Sequence, residues 1–181
     1  KNKPTFIDLF AGIGGMRIPF DELGCECVFT SEFDKFAQQT YEANFHEIPE
    51  GDITQIREQD IPPHDLLLAG FPCQAFSQAG LKKGFDDTRG TLFFDIARIL
   101  EYHKPKAFLL ENVKGLRGHD GGNTFNTIMQ VLENQLQYTV KPEVLNARDF
   151  GLPQNRERIF IVGFREFGDS FNFSFPVPPE T

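Results

Sequence analysis

A cysteine stands directly behind a proline in the stretch GFPCQAFS, residues 70–77. The apolar run at 65–70 is typical of a buried strand, and the run at 78–90 has the glycine and charge content of an exposed loop. Cys73 is therefore expected where a strand ends, which is the edge at which open α/β sheets bind their ligands. A thiol at that edge can act as a nucleophile, bind a metal ion or simply pack against the core.

Two further groups of polar residues occur at predicted strand ends. In LLENV, residues 109–113, Glu111 and Asn112 follow an apolar run. A partly desolvated carboxyl group in that position can donate a proton, although a surface acid at the start of a loop would have the same pattern. In PQNRERIFIVGF, residues 153–164, Arg156 and Arg158 alternate with a glutamate just before a strand. Two arginines on one face can bind a phosphate or a carbonyl group, and two solvated charges would look identical.

The segment FIDLFAGIGG, residues 6–15, indicates a strand that enters a glycine turn before a helix. Gly12, Gly14 and Gly15 form G-x-G-G, which departs from the dinucleotide fingerprint G-x-G-x-x-G. Such a turn can bind an anion at the start of a helix, or it can merely pack a helix on a strand. Glu32 follows the second predicted strand, where an acid can bind ribose hydroxyls or act as an ordinary helix N-terminal acid. Together the two features indicate a ligand that contains adenosine.

The other cysteines and the histidines do not form an obvious site. Cys25 and Cys27 alternate with Glu26 in a strand pattern and are interpreted as structural thiols. The four histidines are scattered singly along the chain, so no zinc site and no other metal is expected.

The elements that position these residues alternate regularly along the chain. Strands are predicted at 5–10, 26–31, 65–70, 106–112, 138–145 and 158–164, and helices at 16–23, 32–45, 91–103 and 123–136, the last with Asn123 or Thr124 as its N-cap. This order predicts an α/β fold with a mostly parallel sheet and helices on both faces. No linker or repeat divides the 181 residues, so one domain is expected over 1–181.

Composition limits the classes of partner. No apolar run is long enough to span a bilayer and no signal peptide opens the sequence, so no membrane partner is expected. An odd number of cysteines without an export signal favours reduced thiols and a cytoplasmic location. The net charge of −8 argues mildly against a nucleic-acid partner, because binding to phosphates is largely electrostatic.

Taken together and in this order, the segments resemble the cytosine-5 DNA methyltransferases, especially the bacterial restriction–modification type. FIDLFAGIGG resembles the first motif of that family, GFPCQAFS its catalytic motif, ENV its glutamate motif, and QNRERIFIVGF its arginine motif. The resemblance covers nearly all 181 residues and implies the Rossmann-like fold of methyltransferases that depend on S-adenosylmethionine.

The resemblance also implies roles for the polar residues. Cys73 would add to carbon 6 of a flipped-out cytosine and so activate carbon 5, Glu111 would hold the ring nitrogen and exocyclic amine, and Arg158 would bind the base carbonyl. Arg156 would orient the site or a phosphate. The methyl donor would be S-adenosylmethionine and the product S-adenosylhomocysteine.

The donor pocket implied by the resemblance is larger than the glycine turn. Its residues would be Phe10, Gly12, Gly14, Gly15, Glu32, Phe33, Asp52, Ile53, Pro72 and Leu92. Contacts to double-stranded DNA would come from Gln74, Ser77, Lys82, Lys83 and Arg89, in a loop over 74–90 expected to be mobile without DNA. A DNA-acting bacterial enzyme would be cytoplasmic or associated with the nucleoid.

The sequence departs from the family pattern at its C-terminal end. Members of the family continue into a target-recognition region and two further motifs, which residues 1–181 do not contain. A downstream segment or a second chain would therefore carry target recognition, and the acidic balance would describe only the catalytic part. A tRNA cytosine methyltransferase of the same fold and a non-catalytic regulatory module are the two alternatives. A comparison of activity on duplex DNA and on single-stranded tRNA would distinguish the tRNA enzyme from a DNA methyltransferase. The intact Cys73, Glu111 and Arg158 argue against a non-catalytic module.

Overall fold

The computed structural model describes residues 2–74, 88, 91–166 and 172–179. Six strands form one sheet in the order β2-β1-β3-β4-β6-β5. They are β1 (Thr5–Leu9), β2 (Glu26–Ser31), β3 (Leu66–Gly70), β4 (Ala107–Val113), β5 (Thr139–Asn146) and β6 (Glu157–Phe164). Strands β2, β1, β3 and β4 are parallel neighbours, and β6 runs antiparallel to both β4 and β5. The predicted mostly parallel sheet is confirmed.

Within the described ranges, four α-helices lie between the strands where the sequence predicts them. They are α1 (Arg17–Glu22), α2 (Lys35–Phe45), α3 (Leu92–His103) and α4 (Asn123–Gln130), the last continued by a π-helical turn over Val131–Gln135. The predicted N-cap of α4 is wrong, because Gly122 with φ of 90° occupies that position and no side chain caps the helix. The hydroxyl of Thr124 instead bonds Nδ1 of His119 at 2.7 Å, which ties the helix to the turn before it.

Helix α3 shows how the sequence builds the main core. The Thr91 hydroxyl caps its start by accepting a hydrogen bond from the backbone N–H of Phe94. Its apolar residues recur at the spacing of one helix face, and Phe93, Ile96, Ala97 and Leu100 are all buried. This face packs with α4 against Ile7, Leu9 and other strand residues on one side of the sheet.

The opposite side of the sheet is only partly covered by helices. There α1 packs over β1, with the rings of Phe6 and Phe20 5.6 Å apart. In the same layer, the hydroxyl oxygen of Tyr41 on α2 accepts a hydrogen bond from the guanidinium of Arg17 at 3.0 Å. Over β3, β4 and β6 the covering residues are Phe173, Phe175 and Pro176, and an apolar cavity of about 340 Å³ lies beneath them. Helices therefore lie on both faces, but among the described residues the second face has less helical cover.

No helix in the described ranges is long and apolar enough to cross a membrane.

A buried acid lies on β1 beneath the glycine turn. Asp8 is 1% exposed, and its Oδ2 atom has no hydrogen-bond partner among the described residues. Burial raises the pKa of this carboxyl from 3.8 to about 8, with the nearby Glu32 and Asp21 adding to the rise and Arg17 opposing it. The guanidinium of Arg17 is itself bonded to Asp21, Tyr41 and Glu47. Asp8 is thus a carboxyl group that folding favours in its neutral form.

The titration of Asp8 lowers the stability of the folded chain as the pH rises. Because its pKa is raised in the folded state, Asp8 keeps a proton there at pH values where the unfolded chain has already lost it. The stability that this proton contributes is therefore full below pH 3.8 and is lost as the pH rises through about 8. We expect Asp8→Asn to gain stability relative to the unsubstituted chain as the pH increases. One pKa unit corresponds to about 1.4 kcal/mol, so the relative gain between about pH 5 and about pH 9 should exceed about 2 kcal/mol. Denaturant unfolding at both pH values measures it.

The matched control is Asp21→Asn, which removes a half-exposed carboxylate that bonds Arg17 at 2.8 Å. This variant should show a much smaller gain at high pH, because Asp8 keeps its carboxyl group and Asp21 makes the smallest contribution to its raised pKa. A difference between Asp8→Asn and the unsubstituted chain that stays constant with pH would contradict a buried, neutral Asp8.

Candidate active site

The polar residues predicted at the strand ends line one cavity. Cys73, Glu111, Arg156 and Arg158 all border a space of about 600 Å³, called here the Cys73 cavity. Cys73 follows β3, and Glu111 lies near the end of β4. Arg156 directly precedes β6, and Arg158 is the second residue of that strand. Because β6 is antiparallel, its first residues lie at the same edge of the sheet as the last residues of β3 and β4.

An ion pair joins two of these side chains. Nε of Arg158 lies 2.9 Å from Oε1 of Glu111, and both side chains are largely buried. Opposite Glu111 on the neighbouring strand is Gly70, where an added Cβ would lie 3.1 Å from Oε2 of Glu111. The absence of a side chain at position 70 leaves room for the carboxylate, and the charge-assisted bond to Arg158 fixes its direction.

The proline–cysteine turn is held from two sides. The side-chain amide of Asn112, which is buried, donates to the carbonyl of Phe71 at 2.8 Å, just before Pro72. The side-chain oxygen of Gln74 accepts a hydrogen bond from the backbone N–H of Leu92 at 2.8 Å, which joins the turn to the start of α3. Gln74 is exposed. The turn that carries Cys73 is therefore attached to both β4 and α3.

Burial raises the pKa of the Cys73 thiol above its ordinary value. A smaller fraction of the thiol is then ionised at neutral pH than in a free cysteine, so any attack by its thiolate speeds up as the pH rises. Cys25 and Cys27 are free, half-buried thiols at or before β2, and neither borders the Cys73 cavity. Burial raises the pKa of Cys27 to about 12.

A second cavity, of about 260 Å³, lies beside the first and is called here the Glu32 cavity. Its lining includes six of the predicted donor-pocket residues, which are Phe10, Glu32, Phe33, Asp52, Ile53 and Leu92. Four of these, Phe10, Glu32, Phe33 and Leu92, also line the Cys73 cavity, so the two spaces are continuous. Pro72 borders only the Cys73 cavity of the two.

The predicted glycines lie in the turn next to the Glu32 cavity. Oε2 of Glu32 accepts a hydrogen bond from the N–H of Gly12 at 2.7 Å, and its Oε1 accepts one from the N–H of Asp34 at 2.8 Å. A Cβ at Gly14 would overlap the ring of Phe45, so this glycine allows the turn to pack against α2. Gly15 lines a third cavity, which shares Phe10, Gly70, Glu111, Arg156 and Arg158 with the Cys73 cavity. Neither Gly12 nor Gly14 borders the Glu32 cavity.

An arginine that the sequence analysis did not single out supports the Glu32 cavity. Arg98 of α3 donates to the carbonyls of Ile53 and Ile56 at 2.8 and 2.9 Å, and it pairs with Glu58 and Asp95. These bonds hold the turn that places Asp52 and Ile53 beside the cavity. The only signal in the sequence was an arginine within the amphipathic pattern of α3, which does not distinguish it from a solvated charge.

Four predicted nucleic-acid contacts, Ser77, Lys82, Lys83 and Arg89, lie outside the described residues, as does most of the loop 74–90. Within the described ranges, no group of three or more His, Cys, Asp or Glu side chains could hold a metal ion.

Comparison with known proteins gives one consistent family. The model of the family described as C-5 cytosine-specific DNA methylase matches residues 4–180. The Type II methyltransferase M.DsaV of Dactylococcopsis salina is 62% identical over 99% of this chain, and the Type II methyltransferase M.HaeII of Haemophilus aegyptius is 63% identical over 95% of it. The matched regions are 51% and 53% of those two proteins, so the chain spans about half the length of the curated relatives it matches.

Solved structures agree on the fold. The Dnmt2 methyltransferase of S. pombe aligns with a TM-score of 0.74 at 20% identity, over 93% of this chain and 51% of its own. A putative DNA modification methyltransferase from an E. coli prophage aligns with a TM-score of 0.73 at 24% identity, over 95% of this chain and 49% of its own. The sheet and helices described above thus form the Rossmann-like fold of methyltransferases that depend on S-adenosylmethionine.

Proposed function

The chain belongs to the C-5 cytosine-specific DNA methylase family, and we propose that the protein containing it transfers a methyl group from S-adenosylmethionine to carbon 5 of cytosine in duplex DNA. The observation that carries this proposal is the cavity shared by Cys73, Glu111 and Arg158, which opens into the cavity beside Glu32. The thiol of Cys73 and two side chains that can hydrogen-bond a cytosine ring thus lie next to a cavity suited to the methyl donor. Because the relatives are Type II methyltransferases, the reaction would belong to a restriction–modification system.

Cys73 would act as the nucleophile. Carbon 5 of cytosine is a weak nucleophile until a thiolate adds to carbon 6 of the same ring. The new bond joins Sγ to carbon 6, and the electron pair of the 5,6 double bond becomes available at carbon 5. After methylation, loss of the carbon 5 proton to solvent and departure of Sγ restore the double bond and free the thiolate.

Glu111 and Arg158 would hold the base during this addition. A carboxyl group can bond both the ring nitrogen and the exocyclic amine of cytosine, and it can share a proton as negative charge develops on the ring. A guanidinium can donate to the base carbonyl, while Arg156 orients the base or binds a phosphate. The ion pair between Glu111 and Arg158 supports this assignment, because it directs both side chains into one cavity before a base is present.

The Glu32 cavity has the chemistry expected of a donor pocket. Phe33 lines it and is 76% exposed as a residue, which leaves its aromatic ring available for stacking on adenine. Glu32 is positioned by two backbone N–H groups, so its direction is fixed before a ribose binds. Phe10, Asp52, Ile53 and Leu92 would complete the pocket with Pro72 and the turn of Gly12, Gly14 and Gly15. S-adenosylmethionine supplies an electrophilic methyl group and leaves as S-adenosylhomocysteine.

A cytosine within a duplex must leave the base stack before Cys73 can touch it. Gln74, Ser77, Lys82, Lys83 and Arg89 would contact the DNA around the flipped base. We propose that residues 1–181 form the catalytic part, and that target recognition lies in the half of the relatives' length that this chain does not span.

The nucleophile can be tested by substitution in the full-length protein. Cys73→Ser should lower methyl transfer on the order of 1,000-fold or more, because a hydroxyl is far less ionised and less nucleophilic than a thiol. Affinity for S-adenosylmethionine should remain. Tritium transfer to duplex DNA measures the reaction, and single-stranded tRNA tests the alternative substrate.

Cys25→Ser and Cys27→Ser are the matched controls, since both thiols lie outside the Cys73 cavity. These variants should keep their activity with at most a loss of stability. A Cys73→Ser protein that retains most of its activity would rule out the covalent mechanism.

The donor pocket can be tested at Glu32. Removal of a hydrogen bond to a charged group costs about 1.5–3 kcal/mol, so Glu32→Ala should weaken binding of S-adenosylmethionine by roughly 10- to 150-fold in calorimetry. Part of any loss could come from a loosened glycine turn, because Glu32 also bonds the N–H of Gly12. A donor analogue without ribose hydroxyls separates the two causes, since the substitution should weaken its binding less.

Asp34→Ala is the control for that experiment. Its carboxylate caps α2 by accepting from the N–H of Ala37 at 2.8 Å, and it does not border the cavity. This variant should lose about 1 kcal/mol of stability and keep its donor affinity. Equal donor affinity in Glu32→Ala and the unsubstituted protein would show that Glu32 only supports the turn and the helix.

The division of labour can be tested with residues 1–181 alone. Their net charge of −8 opposes binding to phosphates, so specific DNA affinity and methyl transfer should be near background. Donor binding should be weaker than in the full-length protein. Addition of the remaining part, covalently or as a second chain, should restore both functions in gel-shift and methylation assays. Sequence-specific methylation by residues 1–181 alone would place target recognition within this chain.

A further inference from the structure

The segment 147–156 connects β5 to β6 and leads directly to the two arginines of the Cys73 cavity. It begins with a short 3-10 turn over Ala147–Phe150, and its residues 151–156 are all exposed. A segment with so little buried surface needs specific hydrogen bonds to keep one conformation. Its conformation matters for the site, because Arg156 is its last residue and Arg158 follows two positions later on the same face of β6.

One buried side chain bonds this segment at both ends. Asn146, the last residue of β5, is 9% exposed. Its Oδ1 accepts from the N–H of Arg148 at 3.2 Å and from the N–H of Arg156 at 3.0 Å. Its Nδ2 donates to Oδ1 of Asn155 at 2.7 Å. Because two backbone N–H groups can only donate, the amide oxygen of Asn146 must face them, and the orientation of the side chain follows.

The bond from the N–H of Arg156 to Asn146 is not part of an ordinary helix cap. An asparagine that bonds the N–H two residues later is a common start for a helical turn. The second bond from the same oxygen spans ten residues and, with the bond from the N–H of Ala147 to the carbonyl of Arg156 at 3.0 Å, closes the segment into a loop. The backbone of Arg156 is thereby attached at both its N–H and its carbonyl. The point at which the chain enters β6 is then set by Asn146.

We propose that Asn146 is a positioning residue for the Arg156 and Arg158 pair, and thus for recognition of the base. The proposal rests on the proposed function, in which these arginines contact the substrate. All three side-chain hydrogen bonds of Asn146 go to this segment. Asn146 acts by holding the backbone from which the guanidinium groups extend, and a displacement of about 1 Å at such a position can cost on the order of 100-fold in rate.

The chain offers three substitutions that separate the bonds of Asn146. Asn146→Ala removes all three and should lower kcat/KM for DNA in the full-length protein by roughly 10- to 100-fold. Asn146→Asp keeps both acceptor bonds, and the exposed amide of Asn155 can rotate to donate to it, so most of the activity should remain. Asn155→Ala removes only the third bond and should cost less than about threefold. Donor affinity should stay within about twofold in all three, because these residues do not line the Glu32 cavity.

A double-mutant cycle distinguishes positioning from plain loss of stability. If Asn146 acts through the two arginines, Asn146→Ala should have little further effect on kcat/KM in a protein that already carries both Arg156→Ala and Arg158→Ala. If it only stabilises the fold, the two effects should add. Additive effects, or an Asn155→Ala loss as large as that of Asn146→Ala, would overturn the proposal.

Hydrogen exchange provides a readout that does not depend on methyl transfer. The amides of Arg148 and Arg156 should exchange at least about tenfold faster in Asn146→Ala than in Asn155→Ala, because only the first variant loses their acceptor. Faster exchange in a protein with no methyltransferase activity would contradict the proposed function and leave the positioning geometry standing. Unchanged exchange in an active protein would contradict the positioning proposal alone.

Discussion

The antiparallel pairing of β6 with β4 is the constraint on which the site depends. Parallel strands present only their carboxyl ends at the ligand-binding edge, and this places Cys73 and Glu111 there. A strand of the opposite direction contributes its beginning to the same edge. Arg156 and Arg158 can therefore face Glu111, and the register that pairs Val113 with Arg158 leaves Arg158 diagonal to Glu111 across the strands. With β6 parallel, the arginines would lie at the far edge of the sheet.

Hydrogen bonds between elements connect the walls of the Cys73 cavity and the Glu32 cavity. Gln74 joins the turn that carries Cys73 to the start of α3. Arg98, two turns further along the same helix, holds the carbonyls of the turn beside Asp52. Glu32 in turn holds the N–H of Gly12. Because α3 contacts both regions, a shift of that helix would move the thiol and the Glu32 cavity together.

The polar interior beneath the glycine turn contrasts with the apolar core on the other side of the sheet. Asp8 and Arg17 are both buried, and Arg17 satisfies its charge with Asp21, Tyr41 and Glu47 rather than through a hydrogen bond to Asp8. An arrangement of this kind contributes little net stability, since the desolvation of buried charges offsets their attraction. Its hydrogen bonds do attach α1 to α2 and to the segment after it.

The sequence by itself determined the order of strands and helices and the residues at the strand ends, because periodicity and glycine or proline boundaries are local features. Cys73, Glu111 and the arginines could thus be predicted as a group, and the resemblance to the family motifs implied roles for them. Only the tertiary structure decided how they are held. The bonds of Glu32 to Gly12, Gln74 to Leu92, Arg98 to Ile53 and Asn146 to Arg156 join side chains to backbone groups 10 to 45 residues away. A side chain's bond to a distant peptide group leaves no pattern in composition or spacing, because every residue except proline offers the same donor and acceptor.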